Sequence, residues 1–198
     1  ERMGMPKIDV EEAMAGLVAL LKADADWVPS APGTSLYIRP FVIGTEPSLG
    51  AHSSSEYKFL IIMCPVGAYY ATGLNPVSIF VENEYVRSVR GGMGFAKAAG
   101  NYACSLIADH EAQKKGCAQV LWLDGVERKY IEEVGSMNIM FKIAGKIVTP
   151  PLRGSILAGI TRDSVLKLAK QLGIEAEERL ISIDEVFAAY ENGTLEEV

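Results

Sequence analysis

Lys97 lies in a glycine-rich turn, GGMGFAKAAG at residues 91–100, that carries no other charged side chain. If the turn is buried, the Lys97 ammonium loses hydration, and its neutral amine becomes more available to form a Schiff base. The simpler interpretation is a solvated loop lysine, since lysines are mostly exposed. The turn lacks the third glycine of a dinucleotide fingerprint and the Gly-Lys-Ser/Thr of a phosphate loop, so it does not predict nucleotide binding.

Two adjacent carboxylates, Glu132 and Glu133, precede a Gly-Ser turn between two apolar segments. Neighbouring residues on a strand face opposite ways, so we expect one of the two side chains to point inward. An inward carboxylate needs a partner, and both a protonated heterocyclic nitrogen and an arginine such as Arg87 or Arg128 would serve. The residues alone favour the structural ion pair and leave the other interpretation open.

The segment GSILAGITR, residues 154–162, delivers Thr161 to a predicted helix start. Free N–H groups and the helix dipole favour an anion there, although a plain threonine N-cap is the commoner meaning of the pattern. An amine, an inward carboxylate and an anion-binding helix start are the groups that pyridoxal phosphate requires. His52 and His110 are far apart and lack ligand spacing, so no metal site is predicted.

The composition limits the class of protein. The chain has 198 residues, 49% of them hydrophobic, and a net charge of −6, which predicts a globular protein without the basic field that nucleic acid or an anionic membrane requires. The longest apolar run, residues 59–68, is about half of the roughly 20 residues of a membrane helix. Cys64, Cys104 and Cys117 are an odd number without close spacing, which favours reduced thiols and a cytoplasmic location.

The elements that must position these groups follow from periodicity and punctuating residues. We expect helices over 10–23, 101–115, 161–173 and from 184, and strands over 35–43, 57–63, 77–82, 120–123, 138–143, 146–149 and 179–183. Helices and strands are mixed without strict alternation, so an α+β fold with a mixed sheet is expected rather than a doubly wound parallel one.

Several long strings closely resemble one family in a single collinear order. They are DWVP (26–29), GTSLYIRP (33–40), GFAKAAGNY (94–102), QVLWLD (119–124), IEEVGSMN (131–138), VTPPL (148–152) and GITR (159–162). The family is the branched-chain-amino-acid aminotransferases, of the class IV pyridoxal-phosphate fold, and the resemblance covers essentially the whole chain. It implies part of a small α/β lobe over 1–63, an interdomain connector over 64–74, and most of a larger mixed-sheet pseudo-barrel lobe over 75–198.

The resemblance also implies roles for individual residues. Lys97 matches the catalytic lysine that holds pyridoxal phosphate, and Glu133 matches the carboxylate on the pyridine nitrogen, which leaves Glu132 facing away. The other cofactor contacts implied are Tyr102 at the 3'-oxygen, Ile160 and Thr161 at the phosphate, and Arg87 nearby. The substrate contacts implied are Tyr37, Arg39, Tyr69 and Ser136.

The implied reaction is transamination of leucine, isoleucine and valine with 2-oxoglutarate, which gives branched-chain 2-oxo acids and glutamate in amino-acid biosynthesis by a homodimer. Family members continue beyond both ends of the chain, so we expect it to be a fragment. The alternatives are another class IV transaminase or lyase and a catalytically silent fragment.

Overall fold

The computed structural model describes residues 2–68, 73 and 75–198. The chain divides into two compact units, Glu1–Asn75 and Pro76–Val198. Helices are combined with parallel and antiparallel strand pairs, which confirms the predicted α+β class. No helix in the described part of the chain is long and apolar enough to cross a membrane.

The first unit contains one helix and a two-stranded ribbon. Helix α1 (Val10–Ala23) begins as predicted, because the Asp9 carboxylate accepts the backbone N–H groups of Glu11 and Glu12. A 3-10 turn over Ala25–Trp27 follows it. Strands β1 (Ser35–Gly44) and β2 (Tyr57–Val66) pair antiparallel without a register shift at Pro40. A proline fits there because both strands of a ribbon are edge strands.

The second unit opens with a three-stranded sheet. Strand β3 (Ile79–Val81), helices α2 (Ala99–Ala103) and α3 (Leu106–Lys114), and strands β4 (Gln119–Leu123) and β5 (Ile131–Val134) follow in chain order. Strand β4 is central, parallel to β3 and antiparallel to β5. The single helix predicted over 101–115 is wrong, because Ser105 donates both its N–H and its hydroxyl to the Tyr102 carbonyl and breaks the helix.

A four-stranded sheet completes the unit. It contains β6 (Phe141–Ile143), β7 (Lys146–Thr149), β8 (Ala176–Glu178) and β9 (Leu195–Glu197), in the order β8-β7-β6-β9, with helices α4 (Ile160–Gln171) and α5 (Ile183–Glu191) between strands in the chain. The hairpin of β6 and β7 was predicted, and its turn residues Ala144 and Gly145 both have positive φ. The strand predicted over 179–183 lies earlier, at β8, and β9 was not predicted.

The strand order buries β4 on both faces. One face joins a cluster of Leu121, Leu123, Ile131, Val134, Ile139, Phe141, Val148 and Ile181. The other packs Val120 and Trp122 against Ala108 and Ala112 of α3. Because β5 lies beside this strand, its two glutamates are held in the interior of the unit.

The Asp124 side chain fixes the connection from β4 to β5. Its Oδ2 accepts the backbone N–H groups of Val126 and Glu127, and its Oδ1 accepts those of Lys129 and Tyr130. Partial burial acts to raise the pKa of Asp124, but the four hydrogen bonds outweigh it and hold the pKa below its usual value. The carboxylate therefore organises the turn that leads into β5.

Candidate active site

The turn that carries Lys97 is held by the side chain of Asn101. The Asn101 amide nitrogen donates to the carbonyl oxygens of Met93 and Ala96, at 2.8 Å each. Gly94 packs so closely that a Cβ there would lie 2.0 Å from the Ser155 carbonyl oxygen. The turn is thus fixed internally by an amide and externally by a glycine contact.

Lys97 itself lies on the surface of its unit. Its side chain is exposed, so the desolvation that an apolar turn suggested is not found. The Lys97 ammonium lies 5.2 Å from the centre of the Tyr102 ring, which α2 presents. The amine and the phenol therefore share one side of the turn, where a ligand can reach both.

Glu133 is the most enclosed of the charged groups predicted for the site. Its side chain is 4% exposed, and Arg87 lies with its Nη2 2.8 Å from Glu133 Oε2. Oε1 accepts the Asn138 amide at 2.9 Å and the Leu157 backbone N–H at 3.3 Å. Burial raises the pKa of Glu133 to about 7, against the opposing effects of Arg87 and of the Leu157 hydrogen bond.

This geometry answers the question of the glutamate's arginine partner. Arg87 makes the ion pair, and it also donates to the Ser155 carbonyl oxygen. Arg128 instead donates to the carbonyl oxygens of Asn83 and Glu84. The structural ion pair expected from the residues alone is therefore present, and it involves Arg87.

The expectation that only one glutamate points inward is wrong. Glu132 is also buried, and it accepts a short hydrogen bond from the Ser155 hydroxyl. Burial raises the pKa of Glu132, opposed by this hydrogen bond and by Arg87. The two carboxylates do lie on opposite faces of β5, but the segment containing Ser155 covers the second face.

Helix α4 begins at Ile160, with Gly159 as its N-cap and no side-chain cap. Thr161 is therefore inside the first turn, and the interpretation of Thr161 as a plain N-cap is wrong. Without a capping oxygen, the first N–H groups of α4 remain available to an anion. Both Ile160 and Thr161 are exposed, as binding by these donors requires.

Four of the predicted residues line one cavity. Arg87, Tyr102, Glu133 and Ser136 surround about 20 Å³, together with Leu157 and residues of the lysine turn. This volume holds about one water molecule. A larger ligand must therefore bind at the rim or displace the lining side chains.

Two of the predicted substrate residues lie in the first unit, on β1. Arg39 Nη2 donates to the Tyr37 hydroxyl at 2.8 Å, and both side chains are exposed. Tyr69, predicted on the connector, lies outside the described residues. Sequence reasoning assigned no role to Asn101 or Asn138. The feature that could have indicated them is a polar residue placed between apolar neighbours.

Comparisons with known proteins agree on one family. The family described as "Amino-transferase class IV" matches residues 3–192. Branched-chain-amino-acid aminotransferase 2 of Bacillus subtilis (strain 168) is 60% identical over 197 residues, which cover 100% of this chain and 54% of that protein. A probable branched-chain-amino-acid aminotransferase of Streptomyces coelicolor is 52% identical over 198 residues, covering 100% of this chain and 55% of that protein.

Solved structures give the same result. The branched-chain aminotransferase of Thermoproteus uzoniensis with norvaline aligns with a TM-score of 0.79 and 28% identity, over 91% of this chain and 58% of that one. The T.th. branched-chain amino acid aminotransferase with pyridoxamine 5'-phosphate aligns with a TM-score of 0.77 and 27% identity, over 91% and 57% respectively. The chain spans about half the length of the curated relatives it matches.

Proposed function

Because this chain belongs to the class IV aminotransferase family, we propose that it is part of a branched-chain-amino-acid aminotransferase that uses pyridoxal 5'-phosphate. The substrates are leucine, isoleucine and valine, with 2-oxoglutarate as the amino acceptor, and the products are branched-chain 2-oxo acids and glutamate. Relatives with this name at 52–60% identity support the substrate class. The proposal rests on one observation: buried Glu133 lines the same cavity as Tyr102, and the exposed amine of Lys97 lies beside that tyrosine.

The donor set of this chain fits the proposed cofactor. A carboxylate that is 4% exposed suits the protonated nitrogen of a pyridine ring, because it offers a charge away from water. The uncapped start of α4 suits a phosphate, because its first N–H groups lack a side-chain acceptor. Pyridoxal phosphate, when bound, supplies an electron sink that stabilises negative charge developing at the substrate Cα.

The chain's own residues divide the remaining work. Lys97 Nζ would hold the cofactor covalently. Once the amine of the incoming amino acid had displaced it, the freed Lys97 amine would take up the proton from the substrate Cα and return it during transfer. Glu133 holds the proton on the ring nitrogen. Tyr102 donates to the 3'-oxygen, and the N–H groups of Ile160 and Thr161, with the Thr161 hydroxyl, bind the phosphate.

Arg87 has a different proposed role from the one implied by the resemblance. Its guanidinium is engaged by Glu133 and by the Ser155 carbonyl, which leaves Nε as a buried nitrogen without a hydrogen-bond partner. We place it behind Glu133, where its charge favours the ionised carboxylate. A ligand that took over the Nη2 contacts would have to replace Glu133 or the Ser155 carbonyl.

The substrate contacts proposed are Tyr37, Arg39, Tyr69 and Ser136. Ser136 is exposed beside Glu133, and the Arg39 guanidinium could bind a substrate carboxylate. We further propose residues 1–63 as small lobe, 64–74 as connector and 75–198 as cofactor-binding lobe, which the division at Asn75 supports. A homodimer and a cytoplasmic place in amino-acid biosynthesis complete the proposal, and the free thiols of Cys64, Cys104 and Cys117 are consistent with that location.

Covalent trapping tests the proposal. The chain is incubated with pyridoxal phosphate, reduced with borohydride and digested, and the mass of the reduced cofactor is expected on the peptide that contains Lys97. Lys97→Ala should remove this label and leave weak labelling elsewhere unchanged. Transfer of the amino group from leucine to 2-oxoglutarate is then measured. Dominant label on Lys115 or Lys129 would refute the lysine assignment, and efficient transfer from another amino acid but not leucine would favour a different class IV enzyme.

A further inference from the structure

Asn138 lies between two parts of the proposed site and contacts both. One proton of its side-chain amide is directed to Glu133 Oε1 at 2.9 Å, and the other to the Leu157 carbonyl oxygen at 3.0 Å. On the other side of the same amide, a Cβ on Gly159 would lie 2.1 Å from Asn138 Oδ1. The side chain thus spans from the carboxylate on β5 to the N-cap of α4.

The backbone places Asn138 there through a two-residue turn. Val134 and Met137 exchange backbone hydrogen bonds of 3.0 and 2.9 Å around Gly135 and Ser136. Gly135 has a φ of 54° and packs so closely on Gln119 that a Cβ would lie 1.8 Å from its Oε1. The positive φ favours glycine at this position, and the turn returns the chain so that Asn138 lies next to Glu133.

The residue type matches the task. Asparagine offers two donors on one nitrogen at the end of a short side chain, whereas serine and threonine offer one and an ionised aspartate offers none. Here the two protons have two different acceptors, one on β5 and one in the loop before α4. No shorter or singly donating side chain can make both contacts.

We propose that Asn138 is a positioning residue, whose amide holds the Glu133 carboxylate at a fixed distance from the start of α4. The inference depends on the proposed function, because it assigns Glu133 to the ring nitrogen and the start of α4 to the phosphate of one cofactor. The amide sets the spacing between these two contacts. It touches neither the substrate nor the reacting atoms.

The first test needs no cofactor. The charged groups that act on Glu133 are Arg87, Lys97 and Glu132, and none of them is altered in Asn138→Leu. The midpoint of the Glu133 carboxyl titration is followed by carbon NMR and assigned with Glu133→Gln. Asn138→Leu removes a donor to the ionised form, so the midpoint should move upward by about one pH unit. An unchanged midpoint would overturn the contact.

The second test measures how strongly Glu133 favours a ligand with a ring nitrogen. Affinities are compared for pyridoxal phosphate and for its 1-deaza analogue, which lacks the ring nitrogen. The wild-type chain should prefer pyridoxal phosphate, and Asn138→Leu should reduce this preference about tenfold, which corresponds to about 1.4 kcal/mol. Equal loss for both ligands would show that Asn138 is only a packing residue.

Thr149→Val is the matched control. The Thr149 hydroxyl is buried and donates to the carbonyl oxygen of Ile139, the residue after Asn138, at 2.7 Å. Its loss should lower the melting temperature without moving the Glu133 midpoint or the preference for a ring nitrogen. If Asn138→Leu does not fold, Asn138→Ser, which keeps one donor, should give intermediate values. If the wild-type chain binds no pyridoxal phosphate, the proposed function fails, whereas the titration still decides the role of Asn138.

Discussion

Replacing Glu133 by glutamine should change how the stability of the second unit depends on pH. The pKa of Glu133 lies at about 7 instead of the ordinary 4.5, because burial outweighs the attraction of Arg87. Each pKa unit corresponds to about 1.4 kcal/mol, so the displacement corresponds to about 3 kcal/mol. The folded state binds this proton more tightly than the unfolded state, so the stabilisation is complete below the unfolded pKa and is lost as the pH rises through 7.

The difference in free energy of unfolding between wild type and Glu133→Gln isolates this contribution, because the other titrations cancel. We expect the free energy of unfolding of the wild type, measured relative to that of Glu133→Gln, to fall by about 3 kcal/mol between pH 4.5 and pH 8. Urea unfolding is followed by the fluorescence of Trp122, which is fully buried opposite Glu133 in the β4–β5 pair. A Trp27→Phe background removes the signal of the first unit.

The control is Glu191→Gln, which changes an exposed glutamate at the end of α5. Its difference from wild type should vary little over the same pH range. A wild-type advantage that grows with pH would refute the reasoning, because it would mean that the Arg87 ion pair outweighs burial and that the folded pKa of Glu133 lies below 4.5.

Three other changes test separate contacts. Gly159→Ala places a Cβ 2.1 Å from Asn138 Oδ1, and we expect it to lower the free energy of unfolding in urea by about 1–3 kcal/mol. Its control is Gly100→Ala, which has open space for the Cβ and should leave the free energy of unfolding unchanged or slightly higher. Tyr102→Phe keeps the ring beside the lysine but removes the proposed donor, so cofactor affinity measured by absorbance should fall about tenfold with no change in melting temperature. Trp122→Phe loses the indole hydrogen bond to the carbonyl after β5 and should cost about 1–3 kcal/mol in thermal unfolding. An unchanged unfolding midpoint in Gly159→Ala or Trp122→Phe, or an unchanged cofactor affinity in Tyr102→Phe, would contradict the contact concerned.

Elements with strong local signals could be predicted from the sequence. Helix α1 has a capping aspartate and regular apolar spacing, and its bounds agree with the prediction. Strand β8 could not be predicted at its position, because its sequence, AEE, has no apolar alternation. It is held instead by pairing with β7 and by ion pairs of Glu177 with Lys146 and of Glu178 with Arg162. Local pattern cannot report pairing between residues this far apart in the chain.

The site shows the same division. Lys97, the adjacent pair Glu132 and Glu133, and the start of α4 could be proposed from residue type and order, and the resemblance then chose Glu133 and assigned the roles. The burial of Glu132 could not be predicted, because it depends on a segment more than 20 residues later that covers the second face of β5. Asn138 escaped notice for a related reason, since its two acceptors come together only in the folded unit.

Two of the groups that contact Glu133 come from distant parts of the chain. Arg87, which pairs with Glu133, also contacts Ser155 across 68 residues, and Leu157 contacts Glu133 across 24. Loops of this length close late and slow folding, because their entropy is lost before the contacts form. A ligand that needs β5, the lysine turn and the start of α4 together therefore binds only the native state. Binding of such a ligand should therefore raise the free energy of local opening by the same amount in β5, in the lysine turn and at the start of α4.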